Sequence, residues 1–254
     1  MYRPEKIELP CVTHGVFAGY RFSDGRTTPC PACLMAEEAA GIALARARSQ
    51  ERRLQRAIDD SGIPPRFTSV SIDGFEADEP RQFEAKVFAQ RLSADLIAGS
   101  TPGRSAVFCG LPNTGKTHMA CAIALDLLRA GHTARYTTVY RAMRAIKSTW
   151  GDLAQQSELQ VVSVFESPDF LILDEFGARA ASEVEKTLLF DLLDARYGAR
   201  RSTLILSNLD HAETRAALGA QIARRLREDG GEIIPFDWST RKHSEGPHGL
   251  HSAT

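Results

Sequence analysis

Gly110-Leu111-Pro112-Asn113-Thr114-Gly115-Lys116-Thr117 lies between a short apolar run, Ser105-Ala-Val-Phe-Cys109, and a stretch from Thr117 to Leu128 with helical apolar spacing. The pattern G-x-x-x-x-G-K-[ST] at a strand-to-helix junction is a phosphate-binding loop. Its glycines let backbone N–H groups converge on a chain of phosphates. Lys116 adds a point charge near the β/γ phosphates, and the Thr117 hydroxyl can bind Mg²⁺. At ordinary residue usage the pattern arises by chance in roughly one chain of this length in a hundred, and the flanking strand and helix lower those odds further. Gly110 to Thr117, with His118 next in line, form the candidate nucleotide-contact set.

Outward from the loop, strand and helix patterns alternate. Ala134–Thr138, Phe170–Leu173, Ser202–Leu206 and Glu232–Phe236 read as strands. Val139–Trp150, Ser182–Ala199 and Ala220–Arg227 read as helices, and an earlier helix from Pro80 to Ile97 precedes the first strand. The alternation predicts an α/β fold with a parallel central sheet covered on both faces.

Phe170-Leu-Ile-Leu-Asp174-Glu175 ends a buried strand in two carboxylates. At the sheet edge Asp174 is suited to the Mg²⁺ shell and Glu175 to activating a water, which makes the expected reaction hydrolysis, an ATPase activity. Leu204-Ile-Leu-Ser-Asn208 closes another strand in an amide, suited to sensing the γ-phosphate or, alternatively, to forming a turn. Arg224, Arg225 and Arg227 follow on a short helix, as an arginine finger toward a neighbouring subunit or as a basic surface.

Near the N-terminus, Cys11-x-x-His14 and Cys30-Pro-Ala-Cys33 form two close pairs across a loop of Gly, Ser and Asp. Four N/S ligands suit a structural, tetrahedral Zn²⁺, which would lend folding energy to a segment too short for a core. A redox Cys-x-x-Cys beside an unrelated histidine is the alternative. Ala36–Ile58 reads as a long exposed helix with arginines at 46, 48, 52, 53 and 56, either contacting nucleic acid or an acidic partner or simply solvated. Ser61-Gly-Ile-Pro-Pro65 breaks it.

The 254 residues carry a net charge of −1, 43% hydrophobic and 25% charged residues, ordinary for a globular protein with one good core and a small accessory module. The charge argues against a wholesale polyanion-binding surface, so any nucleic-acid contact must be a local patch. No apolar run approaches a membrane span and no signal peptide is evident, so the expected compartment is cytoplasmic, with no membrane partner. The five cysteines then read as thiols or metal ligands.

In order, a Cys/His cluster, SGIPPRF, GLPNTGKTHMACAIALDLL, FLILDEFG, LILSNLD, an arginine-bearing helix and FDWSTR make the chain resemble the DnaC-like bacterial and phage helicase loaders within the AAA+ ATPases. The resemblance covers roughly residues 62 to 241; the zinc-like N-terminus resembles prophage-type members more loosely. It implies nucleotide contacts from Gly110 through Thr117, a Walker B pair at Asp174 and Glu175, a sensor at Asn208 and a finger at Arg225. The terminal motif matches Trp238-x-x-Arg241, one residue shorter than in some members. The implied organisation is an N-terminal zinc-binding, helical partner-docking domain over 1–60, an AAA+ domain over 61–241 and a disordered tail over 242–254. The implied ligands and partners are ATP, Mg²⁺, Zn²⁺, a replicative hexameric helicase and single-stranded DNA, with self-association or a helicase-templated oligomer. A transposition helper ATPase of the IstB type, gripping duplex DNA, shares the same core.

One segment points to DNA independently. Tyr140-Arg-Ala-Met-Arg-Ala-Ile-Lys-Ser-Thr-Trp150 places two aromatics and three cations on one helix. Arg141, Arg144 and Lys147 suit phosphates and Trp150 suits base stacking. Core packing competes for Met143, Ile146 and Trp150, which share a helical face.

Overall fold

The computed structural model describes residues 3–151, 154–228 and 230–238. The chain divides into two compact units, Met1–Gln55 and Arg56–Thr254. Arg241 of the terminal motif and the tail over 242–254 lie outside the described residues.

The first unit holds an antiparallel hairpin, β1 (Glu5–Cys11) and β2 (Gly15–Arg21), in register from Glu5 opposite Arg21 to Cys11 opposite Gly15. Gly15, with φ of 78°, supplies the left-handed residue that returns the chain. Most of α1 (Pro31–Asp60) follows. It starts earlier than the sequence reading placed it, because Pro31 is preorganised for a first helical turn. None of its residues is buried.

In the second unit, α2 (Pro80–Ala98) opens with a reciprocal capping box between Glu79 and Gln82 and ends at Gly99 in the left-handed region. The chain then runs through β3 (Ala106–Cys109), α3 (Lys116–Arg129), β4 (Ala134–Thr138), α4 (Val139–Lys147) and α5 (Glu158–Glu166). It continues through β5 (Phe170–Phe176), α6 (Glu183–Gly198), β6 (Ser202–Ser207), α7 (His211–Glu228) and β7 (Glu232–Pro235). The sheet order is β4-β5-β6-β3-β7, every pair parallel. β3 and β6 are buried throughout, as continuous apolar runs covered on both faces should be. Val107, Leu171, Leu173 and Ile205 meet Met143, Ile146, Phe165 and Leu192 in the core.

In the second unit, three helices differ from the sequence reading. Helix α4 stops at Lys147, three residues short of Trp150. Helix α5, capped by a Ser157–Gln160 box, was not anticipated. Helix α7 begins at His211 and is interrupted at Gly219, whose φ of 76° and ψ of 160° are not helical. Among the described residues, no helix is long and apolar enough to cross a membrane.

Candidate nucleotide and metal sites

The β3–α3 loop approaches its surroundings so closely that its two glycines are obligatory. Gly110 has φ of 121°, and a Cβ there would lie 2.6 Å from the Phe236 carbonyl oxygen. Gly115 has φ of 95°, and its Cβ would meet the Phe75 ring at 2.6 Å. The Lys116 ammonium donates to the Gly110 carbonyl at 2.9 Å and to the Leu111 carbonyl at 2.5 Å. Burial lowers its pKa, with the nearby Asp174 charge opposing. His118 turns back to the Ser71 carbonyl at 3.1 Å.

Register brings Asp174 to this loop. The Thr117 hydroxyl donates to Asp174 Oδ2 at 3.1 Å. Two oxygens at this separation suit adjacent positions on an octahedral Mg²⁺, whose ligands at about 2.1 Å lie about 2.9 Å apart. Pairing with β6 shifts register between Leu173 and Phe176, and within the irregularity Glu175 takes φ of 61°. A bulge re-aims the side chains beside it, so Asp174 is half-buried while Glu175 is exposed. Glu175 also borders an apolar cavity of about 930 Å³ whose walls include Tyr140, Met143, Leu189 and Leu218. Asn208, just past β6, is exposed and shares an open cavity of about 650 Å³ with Gly110, Leu111 and Asp237.

Residues outside the motif complete the loop. Trp238 is buried and its indole N–H donates to the Thr114 carbonyl at 3.2 Å. The Phe236 N–H donates to the Cys109 carbonyl at 2.6 Å. The Tyr136 phenol donates to Asp174 Oδ2 at 2.7 Å, and burial, reinforced by the Asp174 charge, holds its pKa well above the ordinary tyrosine range. Tyr136 sits among ordinary strand residues, so the sequence carries no signal for this contact.

The arginine helix is more constrained than its sequence suggests. Arg225 forms an ion pair with Asp194 and lies over the Tyr197 and Phe190 rings at 5.1 and 5.5 Å. Arg224 is mostly exposed and pairs with Glu228 at 3.4 Å. On α4, Met143 and Ile146 are buried, whereas Arg141 and Arg144 are exposed, as is Trp150 beyond its end. Trp150 thus does not share the buried face that helical spacing assigns it, because α4 ends before it; its indole donates to Glu158 at 2.8 Å. Lys147 is held by Glu185 at 2.8 Å. Arg179 pairs with the same carboxylate at 2.8 Å and lies over the Tyr140 ring at 4.5 Å. Hydrogen bonds from Arg179, then Lys147 and the Ser182 backbone, hold Glu185 far below the usual carboxylate range.

In the first unit, the ligand atoms of Cys11, His14, Cys30 and Cys33 all lie within 4.8 Å of one another. The sulfurs of Cys11, Cys30 and Cys33 lie 3.7, 3.8 and 3.3 Å from His14 Nδ1, and Cys11 and Cys33 are 3.5 Å apart. A tetrahedral Zn²⁺ with Zn–S of about 2.3 Å and Zn–N of about 2.1 Å requires edges of about 3.6 to 3.8 Å, so the four residues fit that ion. A backbone hydrogen bond at His14 leads the interactions that lower Cys11 to about 6. A hydrogen bond with Cys11, then burial, pushes Cys33 up to about 11.

Comparison with known proteins agrees with the fold of the second unit. The family described as IstB-like ATP binding protein matches residues 39–225. The replicative helicase loader DnaC of Escherichia coli K12 is 29% identical over 188 residues, covering 74% of this chain and 75% of that protein. YdaV of the same organism, an uncharacterized protein, is 30% identical over 193 residues, covering 76% of each. Among solved structures, the DnaC helicase loader superposes with a TM-score of 0.58 at 20% identity, over 68% of this chain and 99% of that one. DnaI superposes with a TM-score of 0.56 at 21% identity, over 70% and 94%. With the parallel sheet and phosphate loop described above, these matches make the chain a DnaC-like AAA+ protein that belongs to the family of IstB-like ATP binding proteins.

Proposed function

We propose that this protein is an ATP-dependent helicase loader. It binds a replicative hexameric DNA helicase in the cytoplasm and delivers it to single-stranded DNA during replication initiation, with ATP hydrolysis controlling release. The observation that carries this reading is the contact of Thr117, beside Lys116 in the phosphate loop, with Asp174 at the end of β5, where Glu175 follows, in a chain related to DnaC loaders.

In this reading the loop from Gly110 to Thr117 cradles the triphosphate, and Thr117 and Asp174 hold Mg²⁺, which supplies charge neutralisation at the phosphates. Lys116 gives up its loop carbonyls to reach the β/γ phosphates. Glu175 orients and deprotonates the attacking water, and Asn208 senses the γ-phosphate. Arg225 exchanges Asp194 for a neighbour's nucleotide, so the pocket is completed only in an assembly. Arg141 and Arg144 contact DNA phosphates. Lys147 and Trp150 join them by exchanging Glu185 and Glu158 for nucleic acid. The residues over 1–60, closed by Zn²⁺ at Cys11, His14, Cys30 and Cys33, dock the helicase, and 61–241 form the ATPase.

A second reading, a transposition helper of the IstB type acting on duplex DNA, is raised by the IstB-like name of the matching family. Two measurements separate them: co-purification with the helicase of the native host, and filter binding to single- and double-stranded DNA with ATP and Mg²⁺. Loading predicts helicase capture and preference for single strands. Duplex preference without helicase capture would overturn it in favour of the helper.

A further inference from the structure

In the parallel pair β4–β5, Thr138 lies opposite Asp174 and Tyr136 opposite Ile172. Side chains alternate along a strand, so Tyr136 and Thr138 share a face, and the Tyr136 side chain has about 6.6 Å of strand to cover to reach Asp174. Its rigid ring does so, bringing the phenol to 2.7 Å from Asp174 Oδ2. The same oxygen accepts the Thr117 hydroxyl at 3.1 Å, and Oδ1 accepts the Glu175 N–H at 2.7 Å. The carboxylate is therefore held from β4, from the first turn of α3 and from its own strand. Tyr136 is itself fixed: its side chain is buried and its N–H donates to the Ser61 carbonyl at 2.7 Å. Of the three donors, Thr117 has a second task as a proposed Mg²⁺ ligand and the Glu175 N–H is backbone. The phenol is the one side-chain donor free to serve orientation alone.

We propose that Tyr136 is a positioning residue for Asp174, setting the orientation in which its carboxylate meets Mg²⁺–nucleotide. The inference rests on the reading of Asp174 as the Mg²⁺-holding residue. Tyr136→Phe keeps the ring and removes the donor, and losing such an outer-shell partner lowers metal affinity about 10- to 100-fold.

The test measures binding of a fluorescent ADP analogue to the full chain, in EDTA and across a Mg²⁺ titration. It compares wild type, Tyr136→Phe, Asp174→Asn and the double variant. The expected result is wild-type affinity in EDTA for all four proteins. The Mg²⁺ concentration that half-maximally strengthens binding should rise about tenfold or more in Tyr136→Phe, with no further rise when Tyr136→Phe is added to Asp174→Asn. An unchanged Mg²⁺ requirement in Tyr136→Phe would overturn the inference. So would an equal shift in the Asp174→Asn background, or weakened binding in EDTA, since each assigns Tyr136 a merely structural part. Failure of the underlying reading looks different: there Asp174→Asn itself would match wild type, or wild type would show no Mg²⁺-strengthened binding.

Discussion

At Glu175 the backbone takes a left-handed φ of 61°, a conformation that costs a non-glycine residue about 1–3 kcal/mol and persists only where the surroundings impose it. The adjoining register shift supplies that constraint and leaves the carboxylate exposed beside a half-buried Asp174. Glu175→Gln keeps the shape and removes the proton acceptor, so phosphate release should fall about 100-fold or more while nucleotide affinity stays near wild type. Hydrolysis at the wild-type rate would remove Glu175 from the role of base. Both acids were legible in the sequence because a buried apolar strand ending in carboxylates is a local pattern. The contacts of Tyr136 and Trp238 were not, because strand pairing and the return of β7 create them. Arg225 shows the converse: the resemblance singles it out among three arginines that spacing leaves equal, but only the fold reveals Asp194, Tyr197 and Phe190 around it.

Among the elements, α6 is tied to its neighbours by the hydrogen bonds of one side chain. Arg196 is fully buried, and its guanidinium donates to the carbonyls of Phe165, Glu166, Pro168 and Ser202 and to the Thr203 hydroxyl. Burial brings its pKa down to about 9. The arginine thus fastens the end of α5, the entry to β5 and the start of β6 to α6. Arg196→Met fills the volume but strands the acceptors, and should destabilise the protein by about 3 kcal/mol in urea unfolding. A change within experimental error would show that water replaces the guanidinium. Helices α2, α3 and α6 were legible from caps and apolar spacing. Helix α5 was missed because its nine residues offer only Val161 and Phe165 as buried positions. The β1–β2 hairpin is hard to read because its strands are largely exposed and its turn carries the Cys11–His14 ligand spacing.

At the scale of the molecule, the two units draw on different sources of stability. The second has a layered core, while the first has a two-stranded hairpin, a cluster of ligand atoms and a helix with no buried residue. A two-stranded hairpin alone is marginal in water, so zinc removal should act on the first unit selectively. Protein purified without chelator should carry one zinc per chain. Stripping it should abolish amide-exchange protection over 5–21 and leave nucleotide binding by the second unit intact. Absence of stoichiometric zinc, or unchanged protection after stripping, would refute the structural metal.

The sheet order carries a consequence for how the chain is made. β3, which launches the phosphate loop, pairs only with β6 and β7 among the described strands. Its first partner leaves the ribosome roughly a hundred residues after it, which is a costly loop to close. Trp238, beneath Thr114, emerges later still. A nascent chain therefore holds the whole GKT signature before β6, β7 and Trp238 are there to complete the pocket around it. Nucleotide is then a late ligand of folding, able to stabilise the finished sheet but not to guide its assembly.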